Sequence, residues 1–145
     1  MGPIAGLRFH HIAFRVEDLD RSIRWYADAF GAREAFRATH DDGSPQLVYL
    51  ELAPGQFIEL FPNGKGKVPP LPEAIGYGHF CLLVDDLNAA LEHLARLRIA
   101  PATPPRTGRA GQRLAFIADP DGNRIELMEI PPGSPIYREV DRPQG

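Results

Sequence analysis

Cysteine is almost absent from this chain of 145 residues, with Cys81 the only one. One thiol closes no intrachain disulfide and builds no cysteine-rich zinc site, and its scarcity fits a reducing compartment. Long apolar runs are missing too: no stretch reaches the roughly 18 residues from which a membrane-spanning helix is read. The opening MGPIAGLRFHH lacks a basic segment followed by an apolar one, so the expectation is a soluble cytoplasmic protein with no membrane partner. Positive charge is not in excess either. Sixteen Lys and Arg stand against 19 Asp and Glu, for a net charge of −3. The basic residues are scattered rather than gathered into the stripe a phosphate backbone requires, which argues against nucleic acid as a partner. What is present is 43% hydrophobic residues, enough for one sizeable core or two small fused modules.

The chain repeats itself. Sliding it by 68 residues sets HIAFRVEDLDRSIRWYADAFGA, from His11, over HFCLLVDDLNAALEHLARLRIA, from His79, so that Val16 meets Val84, Asp18 meets Asp86 and Leu19 meets Leu87. Near the end of each copy GQFIEL, from Gly55, matches GNRIEL, from Gly122, at an offset of 67. Each copy opens with alternating apolar residues, Ile12, Phe14, Val16 and Phe80, Leu82, Val84, the period of a half-buried strand. Asp18 and Asp86 then stand as helix N-caps before Leu19, Ile23, Tyr26, Phe30 and before Leu87, Leu91, Leu94, each set forming one apolar helical face. Gly31 stops the first helix. Turn residues such as Asp41, Asp42, Gly43 and Asp119, Pro120, Asp121, Gly122 divide the remainder of each copy into short strands, expected at 33–39, 46–52 and 56–61, then at 100–103, 112–118 and 123–130. The pattern predicts a βαβββ unit twice over, with a Pro- and Gly-rich linker at 63–76 and an irregular tail at 131–145.

Alternation along the strands decides where polar side chains point. His11 shares a face with Ala13 and Arg15, opposite the apolar set that packs under the helix, whereas His10 falls on the helix side. His79 sides with Cys81 and Leu83 in the same way. Glu59 lies opposite Ile58 and Leu60, and Glu126 opposite Ile125 and Leu127. A single exposed His or Glu on a strand is ordinary. Two His and two Glu at matching places in a repeat are not, and if the two sheets face each other these four side chains converge on one point. Their nitrogen and oxygen donors suit divalent zinc, nickel, cobalt, manganese or iron, and on an octahedral ion they leave two positions open for catalysis.

These residues resemble the vicinal oxygen chelate superfamily, the glyoxalase, bleomycin-resistance and dioxygenase proteins, over about Leu7 to Ile130. The order His11, Glu59, His79, Glu126 is similar to the ligand series of bacterial glyoxalase I, as are HIAFRVEDLDRSIRWY and LAFIADPDGNRIELMEI to its strands and first helix. Extradiol dioxygenases and fosfomycin thiol transferases use two His and one Glu, methylmalonyl-CoA epimerase generally has Gln where Glu59 stands, and bleomycin-resistance relatives usually lack the ligands.

The resemblance implies an α+β fold, one domain of two tandem βαβββ modules at 7–62 and 77–130 forming cupped mixed sheets. It also implies one divalent ion per site, nickel or zinc foremost, held by His11, Glu59, His79 and Glu126. It points to a small-molecule substrate, an α-ketoaldehyde hemithioacetal turned through an enediolate into a 2-hydroxyacyl thioester, with Glu59 or Glu126 as the base. Arg15 and Asn63 match contacts to the thiol, glutathione in that family. Phe57, Phe61, Leu83, Arg124 and Met128 share the cavity face and are expected to line it. In the loop 101–111 only Arg106 and Arg109 offer basic contacts, and neither matches the family's later glutathione-binding residues. A lone module leaves sheet edges open, so modules must pair, and the resemblance implies a homodimer with sites shared between subunits. Two alternatives stay open: another metal-dependent epimerase, isomerase or lyase acting on a small oxygenated substrate, and a binding or resistance protein without turnover.

Overall fold

The computed structural model describes residues 4–66, 73 and 75–136. The chain divides between Lys67 and Val68 into two compact units. Unit 1 runs β1 (His11–Arg15), α1 (Leu19–Phe30), β2 (Arg33–Thr39), β3 (Pro45–Ala53) and β4 (Gln56–Phe61). Unit 2 runs β5 (Phe80–Leu83), α2 (Leu87–Arg96), β6 (Arg106–Thr107), β7 (Arg113–Ala118) and β8 (Arg124–Glu129). The sheet orders are β1-β4-β3-β2 and β5-β8-β7-β6. In each, the first strand runs parallel to the last and the other pairings are antiparallel. The result is two mixed four-stranded sheets with two helices, an α+β architecture built from a repeated βαβββ unit.

Local chemistry explains why the elements begin and end where they do. The Asp18 carboxylate accepts from the Arg21 backbone N–H at 2.9 Å, and that of Asp86 from Ala89 N–H at 3.0 Å, satisfying donors that a helix start leaves bare. Gly31 ends α1 at φ 69°, where its N–H reaches back to the Ala27 carbonyl, a left-handed conformation costly for any residue with a Cβ. Helices of 12 and 10 residues are marginal alone, so packing of their apolar faces keeps them. Leu19, Tyr26 and Ala29 are buried, as are Phe14, Val16, Val48, Leu50, Ile58 and Leu60, in unit 1; Leu87 and Leu94 are buried, as are Ala115, Ile117, Ile125 and Leu127, in unit 2. Each fully buried large aliphatic side chain contributes about 1.5–3 kcal/mol. Alternate residues on these strands are thereby committed to the core, which fixes the register of the opposite face.

Two expectations need correction. A strand was expected at 100–103, but the strand on that edge of unit 2 is the two-residue β6 at Arg106–Thr107. Pro101, Pro104 and Pro105 donate no backbone N–H, and only the Ala102 N–H reaches the Phe116 carbonyl, at 3.0 Å. His10 was expected on the helix side of the sheet. Its carbonyl accepts from Phe57 N–H at 3.0 Å, yet β1 begins only at His11, and the His10 ring lies instead with Phe57 and His11. Alternation holds inside a strand and does not bind the residue before it. Residues 67–72 and 74 of the expected linker, and 137–145 of the expected tail, lie outside the described residues. Within the described part of the tail, the Ser134 hydroxyl donates to the Ala110 carbonyl at 2.6 Å.

Candidate metal centre

Each unit brings one imidazole against one carboxylate. In unit 1 the ladder sets His11 beside Phe57 and Ala13 beside Glu59, and His11 Nε2 lies 3.2 Å from Glu59 Oε2. In unit 2 Cys81 pairs with Glu126, and His79 Nε2 lies 2.8 Å from Glu126 Oε2. Both carboxylates are buried, at 8% and 9% exposure, while both imidazoles are about a third open to solvent. A buried carboxylate is costly unless it is paired or ligates a metal. The geometry fits either use: the spacing is that of an ordinary N–H···O contact, and two donors bonded to one zinc-sized ion at 2.0–2.2 Å, at angles between 90° and tetrahedral, also stand about 3 Å apart. Both pairs match that spacing, and each unit holds one nitrogen and one oxygen donor.

An aromatic ring backs each pair, and sequence patterning did not single it out. Tyr49 stands directly across the ladder from Glu59, and Phe116 directly across from Glu126. The Tyr49 ring meets His11 edge-on at 5.4 Å and 87°, and Phe116 meets His79 at 5.1 Å and 83°. Read alone, each looks like a core aromatic on a strand. The repeat is the signal that finds them, because the 67-residue offset that relates the two glutamates also relates these rings. Burial first, then a hydrogen bond to Glu59 and its charge, raises the Tyr49 phenol above its ordinary range. The phenol therefore stays protonated. Phe116 has no hydroxyl to give.

The surrounding residues sort by register. Arg15 donates to the Pro62 carbonyl at 2.9 Å and lies over the Phe61 ring at 5.4 Å, so Arg15, Phe61 and the turn at Asn63 sit together, two ladder positions beyond Glu59. Asn63 adopts φ 62°, a left-handed conformation that Asn tolerates well. Next to it, Gly64 donates to the Val16 carbonyl at 2.8 Å, and an added Cβ would meet Val16 backbone at 3.1 Å. Phe57 stacks on His10 at 4.8 Å and 28°. In unit 2, Leu83 pairs with Met128, and the Arg124 guanidinium lies over Phe116 at 4.5 Å. Desolvation, with the Glu126 charge second, pushes the Cys81 thiol up to about 12. It remains a thiol at neutral pH, which makes it a poor nucleophile.

Residues 8–127 match the profile of the Glyoxalase/Bleomycin resistance protein/Dioxygenase superfamily. The chain belongs to that superfamily. Among relatives in it, a 2-epi-5-epi-valiolone epimerase from Actinomyces sp is 26% identical, covering 91% of this chain and 84% of its own. A lactoylglutathione lyase from Haemophilus influenzae is 32% identical, covering 82% of this chain and 90% of its own. The fold of a glyoxalase family protein from Enterococcus faecalis superimposes with a TM-score of 0.75 at 23% identity, over 87% of this chain and 100% of the other. The chain spans about half the length of the plant relatives it matches. Superfamily membership with such relatives makes an enzyme acting on a small molecule the class to pursue. No helix among the described residues is long and apolar enough to cross a membrane.

Proposed function

We propose that this protein is a divalent-metal-dependent lyase of the glyoxalase I type, converting the hemithioacetal of an α-ketoaldehyde to a 2-hydroxyacyl thioester. The observation that carries this reading is the duplicated buried glutamate against an imidazole, at 3.2 and 2.8 Å. His11 and Glu59 of one subunit, with His79 and Glu126 of its partner in a homodimer, would hold the ion, with nickel or zinc foremost and cobalt, manganese or iron also suited to the donor set.

A bound divalent ion would supply Lewis-acid stabilisation of the negative charge that develops on substrate oxygen. The chain supplies the rest. A glutamate of the set takes the proton from the carbon bearing sulfur, leaving an enediolate, and returns it to the neighbouring carbon. Glu59 has a phenol directly across the ladder, whereas Glu126 faces a phenyl ring, so Glu126 is the carboxylate with more freedom to move. Phe57, Phe61, Leu83 and Met128 shield the enediolate from water, and Arg15, Asn63 and Arg124 are placed to meet the polar end of the substrate, a thiol adduct such as that of glutathione.

One observation favours a second reading, the epimerase relative matched over most of the chain. Removing a proton beside a carbonyl and delivering one to the opposite face would use the same metal, with one glutamate as the base and a second acid on the far face. The assay that separates the two uses methylglyoxal and glutathione with protein loaded with nickel or zinc, followed at the thioester absorbance. Turnover that a chelator abolishes and added metal restores is expected. Metal bound without thioester formation under any of the five ions would shift the assignment to epimerase chemistry, read as solvent deuterium entering the carbon next to a carbonyl.

A further inference from the structure

The two halves of the repeat are not equivalent in what stands behind their ligands. In unit 1, His11 is gripped at its second nitrogen, with His10 Nδ1 2.9 Å from His11 Nδ1. His10 is itself held by its stack on Phe57, and Tyr49 sets a phenol directly across the ladder from Glu59. In unit 2 the residue aligned with His10 is Gly78 and the residue aligned with Tyr49 is Phe116. A glycine offers no ring nitrogen to His79, and a phenyl ring offers no proton to Glu126. The aromatic wall is kept in both halves, since each ring meets its imidazole edge-on at nearly the same distance. What differs is the hydrogen bonding.

A ligating imidazole must present a lone pair on one nitrogen, which fixes the proton on the other and calls for an acceptor there. The Nδ1 of His10 fills that place for His11 and leaves His11 Nε2, the atom facing Glu59, free to ligate. A hydrogen bond to a ligating carboxylate likewise fixes which oxygen points where. We infer that His10 and Tyr49 are positioning residues that make unit 1 the pre-set half of the metal site, so that His11 and Glu59 capture the cation and the looser His79 and Glu126 complete its shell and yield during turnover. This rests on the metal-dependent reading of the site. The residues act through the ligands rather than on substrate, so metal affinity must report them independently of activity.

The experiment measures zinc affinity of the full-length protein by competition with a chromophoric chelator, alongside the thermal midpoint of the metal-free protein. Tyr49→Phe keeps the ring and removes only the hydroxyl, and it is expected to raise the zinc Kd about 10- to 100-fold, the range for losing a partner behind a ligand. His10→Phe, which keeps the stack but not the nitrogen, is expected to do the same, and His10→Asn, with an amide group near the Nδ1 position, to recover part of the loss. Metal-free midpoints are expected to match the parent protein. Phe116→Tyr is expected to tighten zinc or leave it unchanged while kcat falls, because Glu126 is now tethered. Parent-like zinc affinity in Tyr49→Phe and His10→Phe would overturn the inference while leaving the metal site standing. So would affinity losses that merely track a fall in the metal-free midpoint. A parent protein that binds no zinc, nickel or cobalt would overturn the metal-dependent reading itself, and the inference with it.

Discussion

Replacing His79 by Ala is expected to abolish turnover, lowering kcat/KM by at least about a thousandfold and releasing the metal on dialysis. Losing a partner behind a ligand costs roughly 10- to 100-fold, and losing the ligand itself removes both a bond to the ion and the geometry that leaves open positions for substrate. His11→Ala is expected to do the same, although His11 sits in the other unit. Because each half holds one imidazole and one buried carboxylate, neither unit alone offers more than two of the four donors proposed. Mixing the two inactive variants then gives a test of pairing. If sites are shared between subunits, a heterodimer of His11→Ala with His79→Ala carries one doubly damaged site and one site with all four ligands. Random exchange of subunits by an isologous dimer would restore about a quarter of the parent activity. Activity that stays at background after subunit exchange would place all four ligands in one chain instead.

The second large effect is on stability. Asp119 is buried, and its carboxylate accepts from Asp121 N–H at 3.0 Å, from Asn123 N–H at 2.8 Å and from the Asn123 side-chain amide at 2.8 Å. It is the knot of the turn that joins β7 to β8, the strand carrying Glu126. Asp119→Ala strands these donors, and with charged acceptors each worth about 1.5–3 kcal/mol, not additively, the expected overall loss is about 3 kcal/mol. In urea that moves the midpoint down by about 1 to 2 M. Asp42 makes a similar turn between β2 and β3, accepting from the Ser44 N–H and hydroxyl at 2.9 and 2.6 Å, but it is exposed. Asp42→Ala is therefore expected to have a far smaller effect, because water replaces the lost partner. Equal midpoint shifts in the two variants would show that burial is not what gives Asp119 its weight.

Much of the fold, and the pairing of a His with a Glu in each unit, was legible in the chain because the repeat supplies a second measurement of every pattern. One alternating segment such as Ile12, Phe14, Val16 suggests a strand; its recurrence at Phe80, Leu82, Val84 makes a module. The same logic brought His11 to Glu59 and His79 to Glu126 from register alone, since core residues such as Ile58, Leu60, Ile125 and Leu127 leave the intervening glutamates only one way to point. What escaped was what register does not govern. His10 precedes β1, so no ladder dictates its side chain, and it turns to stack on Phe57. Tyr49 and Phe116 occupy strand positions at which an aromatic is ordinary, and only the partner across the ladder reveals that each stands opposite a glutamate. The prolines around Ala102 were visible in the sequence, yet the expected strand there took too little account of their missing N–H groups.

The measurement that bears most directly on the proposed centre is metal content joined to X-ray absorption on the zinc-loaded protein. The expected result is one ion per chain, with two imidazole nitrogens and two carboxylate oxygens at about 2.0–2.2 Å, and loss of the ion from His11→Ala and from His79→Ala alike. A parent protein that takes up no ion, or one whose ion stays fully bound after either substitution, would contradict it.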